Sequence, residues 1–285
     1  MAFIESQRGQ YPIRVVCAAL QVAPSGYYAW RRRPQSRRAQ ANAALLTAIR
    51  QVHAESRGTY GSPRVHQALL RLGQRCGRHR VARLMRRAGV QGVPRRRWVR
   101  TTQRAAGEQY ASYRLGRDFH AATANQKWVS DITAIPTGEG WLYLATVLDL
   151  FSRRVVGWAM AGHMRAELVL EALQMAYVQR GAPRELIYHT DRGTQYTSTL
   201  VRSWVDAHGL RASMGRTGDC YDNSVAESFY ATLKRECVDR QHSATRSAAR
   251  TLIFEFLEAF YNRRRLHSTL GYLSPLEFES QSHTP

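Results

Sequence analysis

The chain has 285 residues, of which 44% are hydrophobic and 10% aromatic, which is enough for one large or two ordinary folded cores and excludes disordered or collagen-like designs. It carries 42 basic against 21 acidic residues, and the net charge of +21 exceeds what solubility requires and predicts a polyanionic partner. The N-terminus lacks the apolar stretch of a signal peptide, and no run of about eighteen apolar residues occurs, so we expect a cytoplasmic protein without a membrane partner.

The positive charge is concentrated in the first 120 residues, which contain 24 arginines and four acidic residues for a net charge of +20. The rest of the chain carries a net charge of only +1. Arginine is suited to bidentate contacts with phosphates and guanine edges. The basic half therefore predicts contact with nucleic acid.

Two short helices are predicted near the N-terminus. The first runs from Ile13 to Leu20, and the second follows Ser25 as N-cap and runs through Trp30. The tight turn between them indicates a helix-turn-helix segment over residues 1–38. The arginines from Arg31 to Arg38 have the pattern of a solvated linker.

Three further helices are predicted in residues 39–100. One spans Ala43 to Glu55, one opens on residues 61–63 as turn, N-cap and first-turn proline, and one spans Val81 to Ala88. Together they predict a small basic DNA-binding domain, although the pattern leaves open a bundle that binds nucleic acid without sequence specificity. The candidate DNA contacts here are Arg64, Arg83, Arg86, Arg87, Arg95, Arg96 and Arg97. Residues 101–124 are predicted to form a basic linker.

The periodicity changes after Lys127, where β-rich runs separated by short turns predict a three-strand meander. Helices and strands then alternate, which predicts an α/β domain. The predicted strands are Trp128 to Ile135, Trp141 to Leu150, Val155 to Met160, Leu186 to His189 and Leu210 to Met214. The predicted helices are Arg165 to Arg180, Ser198 to His208, Ser224 to Glu236 and Thr245 to Asn262. We expect a core domain over residues 125–240 and a C-terminal helix and tail over residues 241–285.

Three acidic residues lie where a catalytic site would need them. Asp131 is within the first strand, Asp191 follows the fourth strand, and Glu227 lies in the first turn of the helix after a glycine-rich loop, with 35 residues between the last two. A single carboxylate at a strand end is more often a turn former than a catalyst. Asp131, however, has apolar neighbours, and its burial is costly unless a divalent cation with oxygen ligands compensates the charge.

These segments resemble the DDE transposases and retroviral-type integrases. The similarity is carried by WVSDITAI, HTDRGTQYTS and DNSVAESFYATLKREC together with the 35-residue spacing. The chain is similar to bacterial insertion-sequence transposases whose catalytic subunit, OrfB, is the second of two overlapping reading frames. YGSPRVHQALLRLG and RHRVARLMRRAGV resemble that family's helix-turn-helix segment, and DLFSRRVVGW and YNRRRLHSTLGYLSP also match, so the resemblance covers almost the whole chain.

The resemblance implies a ribonuclease-H-like fold: a five-stranded mixed sheet with flanking helices, preceded by a small all-α helix-turn-helix region. It also implies that Asp131, Asp191 and Glu227 form a catalytic triad that binds two Mg²⁺ ions, for which Mn²⁺ can substitute. Lys234 lies seven residues, or two helical turns, after Glu227 and is expected to contact DNA at the element end.

The implied activity is metal-dependent cleavage of insertion-sequence ends and their transfer to target DNA, in a nucleoid-associated protein. The expected partners are the terminal inverted repeats, target DNA, further copies of the chain, and an upstream-frame OrfA product or fusion. No sustained leucine heptad precedes the core in this sequence, so we expect the chain to lack the family's upstream module that recognises the terminal repeats. Two alternatives stay open: a sequence-specific DNA-binding protein with a degenerate core, and a nuclease that only cleaves.

Overall fold

The computed structural model describes residues 1–94, 111–116, 118–215 and 223–282. The chain divides into two compact units, Met1–Gln51 and Val52–Pro285. Three of the predicted DNA contacts, Arg95, Arg96 and Arg97, lie outside the described residues. Every helix in the described ranges is too short or too polar to span a bilayer. The five-part division of the chain expected from the sequence stays a prediction.

The first unit contains three short helices and most of a longer one. They are α1 (Ala2–Ser6), α2 (Ile13–Ala19), α3 (Pro24–Arg32) and α4 (Arg37–Glu55). Ile4, Val16, Cys17 and Tyr27 form a small core between α1, α2 and α3. The Tyr27 hydroxyl also donates a hydrogen bond to the carboxylate of Glu5, so α1 is held to α3 by a polar contact as well as by apolar packing.

Two helix starts in this unit differ from the prediction. α3 begins at Pro24 with Ala23 as N-cap, and no side chain caps it. Proline takes the first helical position because it has no N–H to satisfy and its φ is already helical. α4 begins at Arg37 rather than Ala43. Arginine, alanine and glutamine all favour the helix, so the end of the arginine run is helical and exposed rather than part of a linker.

The second unit begins with a basic helical pair, α5 (Ser62–Arg71) and α6 (Arg78–Arg87). Gly73 in the turn between them has a φ of 75°, a left-handed conformation that glycine adopts without steric cost. The N-caps are Gly61 and Gly77, so each helix starts earlier than the sequence predicted. The side chains that these helices bury are Val65, Leu69, Val81, Leu84 and Met85.

A five-stranded mixed sheet forms the core of this unit. Its strands are β1 (Lys127–Thr137), β2 (Gly140–Asp149), β3 (Val155–Ala161), β4 (Ile187–Thr190) and β5 (Arg211–Met214), in the order β3-β2-β1-β4-β5. The first three strands are an antiparallel meander, while β4 and β5 add in parallel on the other side of β1. The predicted five-stranded mixed sheet is therefore confirmed, with β1 at its centre.

Helices flank the sheet. They are α7 (Ala166–Gln179), α8 (Thr194–Thr197), α9 (Thr199–Ala207) and α10 (Ser224–Glu236). α7 packs so closely on β3 that a Cβ on Gly157 would lie 2.2 Å from the carbonyl oxygen of Ala172. The main apolar core lies between α7, α9 and the sheet and includes Trp128, Val156 and Leu173. This packing leaves β1 and β4 rigidly placed side by side.

The C-terminal region departs most from the prediction of one helix and a tail. α11 (Arg246–Phe254) continues as a π-helical segment, Glu255–Tyr261. The wider π turn shifts the phase of the side chains, and Phe256, Leu257, Phe260 and Tyr261 are all buried. The predicted tail contains a further helix, α12 (Pro275–Ser282), which buries Glu279.

Candidate active site

The two predicted aspartates lie on neighbouring parallel strands. β1 pairs with β4 with Val129 opposite His189, and two residues further along each strand the same register brings Asp131 level with Asp191. Asp131 is within β1, while Asp191 directly follows the end of β4. The sheet topology therefore brings together two carboxylates that are 60 positions apart in the sequence.

The Asp131 carboxylate is half-buried, and its Oδ1 accepts a hydrogen bond of 2.8 Å from the backbone N–H of Ile132. Burial and the nearby charge of Asp191 raise its pKa well above the ordinary value, and Glu227 adds to this effect. The Ile132 hydrogen bond and the charge of Lys234 oppose the shift. The pKa of Asp131 therefore depends on the charges of Asp191, Glu227 and Lys234.

Asp191 lies in a tight turn in which its Oδ1 accepts a 2.9 Å hydrogen bond from the backbone N–H of Gly193. The residue as a whole is exposed, yet burial of the carboxyl group raises its pKa. A Cβ at position 193 would lie 3.0 Å from the same Oδ1. Glycine at 193 therefore keeps this carboxylate against the backbone of the turn.

Glu227 reaches the site from α10, which is held against the sheet by Tyr230. The Tyr230 hydroxyl donates a 2.5 Å hydrogen bond to the carbonyl oxygen of Asp131 and lies 2.8 Å from the Thr146 hydroxyl. Residues three apart in a helix share a face, so this contact turns Glu227 toward β1. Partial burial raises the pKa of Glu227. Lys234 is half-buried two turns further along the same helix.

The donor set of this cluster suits a hard divalent cation, because carboxylate oxygens are the ligands that Mg²⁺ and Mn²⁺ prefer. Burial raises the pKa of each of the three acids, and at Asp131 the negative charges of Asp191 and Glu227 raise it further. Within the described ranges, no three His, Cys, Asp or Glu side chains form a closed group able to hold a metal ion.

Asn223 stands at the N-cap of α10, one turn before Glu227, a position where asparagine commonly caps the helix. Its side chain makes no capping hydrogen bond. The Oδ1 atom is buried and has no partner among the described residues. This unpaired amide oxygen lies at the end of α10 that also carries Glu227.

Two polar residues beside Asp191 are directed elsewhere. His189 is fully buried, and its Nδ1 lies 2.9 Å from the Ser213 hydroxyl on β5. The Gln195 side chain donates to the carbonyl oxygen of Met164 at 3.0 Å. Sequence reasoning missed Tyr230, although its position three residues after Glu227 could have identified it as sharing that residue's helical face.

The predicted DNA contacts fall into two groups. Arg83, Arg86 and Arg87 are exposed on α6, where helical spacing keeps their charge outside the buried face of Val81, Leu84 and Met85. Arg64, by contrast, is half-buried, and its guanidinium group contacts the carboxylate of Glu236 and the ring of Tyr60. The first group is available to a polyanion, whereas Arg64 already has partners within the protein.

The chain matches three family models: an HTH-like domain over residues 40–98, an integrase core domain over residues 121–220 and a second integrase core domain over residues 208–275. It is 41% identical over 282 residues to the Escherichia coli K12 transposase InsF for insertion sequence IS3A, with 98% of each chain covered. It is 38% identical over 268 residues to an uncharacterized 31 kDa protein of insertion element IS600 from Shigella sonnei, covering 94% of this chain and 98% of that one. Among solved structures, the HTLV-2 integrase catalytic core domain in complex with magnesium aligns at 14% identity with a TM-score of 0.44, covering 55% of this chain and 98% of that one.

Proposed function

This chain belongs to the insertion-sequence transposases of the IS3 type, and from that premise we propose that it cuts and joins DNA at the ends of its element, using a divalent-metal site formed by Asp131, Asp191 and Glu227. The integrase core domain makes it an enzyme of the nucleotidyl-transfer class. The HTH-like domain makes DNA its partner. The proposal concerns which residues perform the chemistry and what they bind.

The electrostatic coupling of the three carboxylates is the main support for this site. Burial raises the pKa of Asp131, and the charges of Asp191 and Glu227 raise it further. Acidic groups held together without a compensating partner charge are characteristic of sites that bind a cation. We assign the three side chains two Mg²⁺ ions, with Mn²⁺ as an acceptable substitute because it shares the preference for oxygen ligands.

Asp131, Asp191 and Glu227 would hold the ions, and bound divalent ions would supply activation of the attacking water or 3′-hydroxyl oxygen and stabilisation of the leaving oxygen of the scissile phosphate. The protein holds the three carboxylates in place, through the Ile132 and Gly193 N–H groups and through Tyr230 on α10. Lys234, on the same helix as Glu227, binds a phosphate of the element end. Both steps exchange one oxygen for another at phosphorus, so no covalent protein intermediate is required.

DNA recognition is assigned to the basic half of the chain. The exposed arginines of α6 (Arg83, Arg86 and Arg87), together with Arg95, Arg96 and Arg97, contact the terminal inverted repeat and target DNA. The helices of residues 1–38 form a second DNA-binding segment, since α3 exposes Tyr28 and Trp30 beside Arg31 and Arg32. In this division residues 39–100 are the basic domain, 101–124 the linker, 125–240 the catalytic core and 241–285 the C-terminal region.

The joining reaction requires several copies of the chain to assemble on DNA. Joining two element ends to one target requires at least two active sites, so the chain acts as a homo-oligomer on DNA. An upstream-frame OrfA product or fusion adds recognition of the terminal repeats. Size measurements with and without an element-end duplex test the first statement, and repeat binding by the chain alone tests the second.

The reaction itself is tested with the full chain, a labelled duplex that carries the terminal repeat, a target plasmid and Mg²⁺. We expect labelled strand joined to the plasmid. Glu227→Gln removes one proposed ligand, and Glu167→Gln is the matched control because Glu167 is an exposed glutamate in the first turn of α7. Calorimetry on both variants measures Mg²⁺ uptake.

Each outcome has a distinct meaning. Joined product that depends on Glu227 and not on Glu167 supports the proposal. Cut ends that accumulate without joined product identify a nuclease that only cleaves. Repeat binding without Mg²⁺ uptake identifies a DNA-binding protein with a degenerate core. Full joining by a folded Glu227→Gln variant refutes the site assignment.

A further inference from the structure

The last residue of α10, Glu236, is a buried carboxylate that fixes the far end of this helix. It is 7% exposed. It accepts two hydrogen bonds of 2.7 Å from Arg265, one from Nε to Oε2 and one from Nη2 to Oε1. Arg265 is itself 4% exposed. A buried carboxylate is tolerated only when it is paired in this way, so the pair determines where α10 ends.

A third charged group reaches the same carboxylate from the basic helical pair. Arg64 in the first turn of α5 has its Nη1 atom 3.5 Å from Oε1 of Glu236. Its guanidinium group also lies over the ring of Tyr60, 5.6 Å from the ring centroid. The Tyr60 hydroxyl accepts a 2.7 Å hydrogen bond from the backbone N–H of Leu266, next to Arg265. α5 is therefore connected to α10 through one shared carboxylate and an adjoining aromatic residue.

α10 is consequently held at two points along its length. Tyr230 holds its first half to the carbonyl oxygen of Asp131, and Glu236 holds its last turn to Arg265 and Arg64. Glu227 and Lys234 lie on the same helix. A helix moves as a rigid rod over a length this short, so a displacement of Glu236 is transmitted to Glu227.

We propose that Arg64 is a positioning residue that couples the basic helical pair to the catalytic helix through Glu236, in place of the phosphate contact expected from the sequence. This inference rests on the proposed function, because it needs Glu227 to act in the reaction. As a consequence, the contact between α5 and α10 fixes the position of DNA bound on α6 relative to the three carboxylates. Loss of the contact lowers the rate of the chemical step rather than the affinity for DNA.

The test compares Arg64→Ala with Arg71→Ala in the full chain. Arg71 is on the same helix and also pairs with an acidic residue of the C-terminal region, Glu277 of α12. Each variant removes one arginine of α5 and one ion pair, but Glu236 loses a partner only in Arg64→Ala. The measurements are the dissociation constant for an element-end duplex, its dependence on salt, and the single-turnover cleavage rate at saturating DNA.

We expect Arg64→Ala to lower the single-turnover rate about tenfold, a size typical of a small misplacement in a catalytic site. Its dissociation constant and salt slope should match those of the unaltered chain, and Arg71→Ala should cleave at an unchanged rate. Arg64→Lys, which retains a cation beside Glu236, should recover most of the rate, whereas the neutral Arg64→Gln should not. The lysine and glutamine variants carry the same comparison if Arg64→Ala fails to fold.

Two outcomes would overturn the inference. If Arg64→Ala weakens binding and lowers the salt slope by about one while the saturated rate is unchanged, Arg64 is a phosphate contact. If Arg64→Ala and Arg71→Ala slow the reaction equally, the effect is a general loosening of the fold. Neither result depends on the metal site, which is tested separately by Glu227→Gln.

Discussion

Two acidic clusters in the second unit differ in the side chains that surround their carboxylates. One is the triad of Asp131, Asp191 and Glu227. The other, which we call the Arg180 cluster, consists of Asp149, Ser152, Arg154, Arg180 and Glu279. In it Arg180 donates to Asp149 at 2.9 Å and to Glu279 at 2.8 and 2.9 Å, and Arg154 donates to Glu279 at 2.8 Å.

The pKa of Glu279 reflects its arginine partners, whereas burial raises the pKa of Asp149 in spite of its hydrogen bonds from Arg180 and from two backbone N–H groups. Burial alone would raise the pKa of Glu279, but hydrogen bonds from Arg180 and Ser152 hold it below its ordinary value. At Asp131, burial and the charge of Asp191 both raise the pKa, and the Lys234 charge opposes them as a smaller effect. The protein neutralises one cluster with its own side chains and leaves the other with excess negative charge. Acidic charge without a compensating partner is common at functional sites, and this supports the proposed role of the triad.

Asp131→Asn tests the uncompensated side of this comparison and should have the largest effect. Removing one ligand charge should lower the rate of strand cleavage about 10³-fold or more, equivalent to roughly 4 kcal/mol or more of barrier. The free energy of unfolding in metal-free buffer should be unchanged or higher, because repulsion with Asp191 and Glu227 is relieved. Single-turnover cleavage and urea unfolding measure the two quantities.

The proposed difference between the triad and the Arg180 cluster is wrong if the folded Asp131→Asn variant retains the cleavage rate of the unaltered chain. It is also wrong if the variant has a lower free energy of unfolding, as expected on removal of a structural acid. Asp206→Asn is the matched control, since Asp206 is an exposed aspartate on α9. It removes the same charge outside both clusters and should change neither quantity measurably.

Arg180→Met tests the compensated side. The arginine side chain is 9% exposed, and its loss leaves the carboxylates of Asp149 and Glu279 buried with fewer partners. Breaking such a pair should lower the free energy of unfolding by about 3–5 kcal/mol. Urea unfolding monitored by circular dichroism measures the loss. The cleavage rate per folded molecule should be unchanged, and a selective loss of rate without loss of stability would show that the Arg180 cluster is not merely structural.

The sequence predicted the elements of the catalytic unit well, because their patterns are local. The alternating apolar runs of the meander, the helix from Ser198 to His208 and the helix from Ser224 to Glu236 all have counterparts within one or two residues. The sequence also identified Asp131, Asp191 and Glu227 and the elements that carry them. The resemblance, rather than periodicity, supplied the adjacency of the first and fourth strands. The role of the three carboxylates as metal ligands remains a prediction.

What the sequence did not predict depends on contacts between distant residues. Arg180 and Glu279 are 99 positions apart, as are Asp131 and Tyr230, and no local pattern links either pair. Arg64 is an arginine at the start of a basic helix, and only the fold reveals that it faces Glu236 rather than solvent. The π-helical segment from Glu255 to Tyr261 was missed because a period of 3.6 residues fits the same apolar residues.

Tyr230→Phe tests whether the position of Glu227 matters separately from the charge of the triad. It removes the hydroxyl group that holds α10 to β1 and leaves all three carboxylates in place. The variant loses the hydrogen bond that the hydroxyl group donates to the Asp131 carbonyl oxygen and its hydrogen bond with the Thr146 hydroxyl, which should lower the free energy of unfolding by about 1–2 kcal/mol. The cleavage rate should fall about tenfold because Glu227 is less firmly held. Tyr261→Phe is the matched control, since it retains the ring that packs on Phe229 of α10 and removes a buried hydroxyl that donates to the Arg153 carbonyl oxygen at 3.1 Å rather than to β1. Equal losses of rate in the two variants would refute a specific role for Tyr230.

The smallest expected effect is the pH dependence of stability in metal-free protein. Burial raises the pKa values of Asp131, Asp191 and Glu227 above their ordinary 3.8, 3.8 and 4.5, so the folded state retains protons that the unfolded state has released. Their contribution to stability is fully present below those ordinary values and is lost as the pH rises through the folded-state pKa values. Urea unfolding in a chelator, from about pH 4 upward, should therefore show a steeper fall for the unaltered chain than for Asp131→Asn, in which the other titrating groups are the same. Mg²⁺ should reduce this fall because cation binding favours the ionised carboxylates, and parallel curves for the two proteins would mean that Asp131 carries no raised pKa.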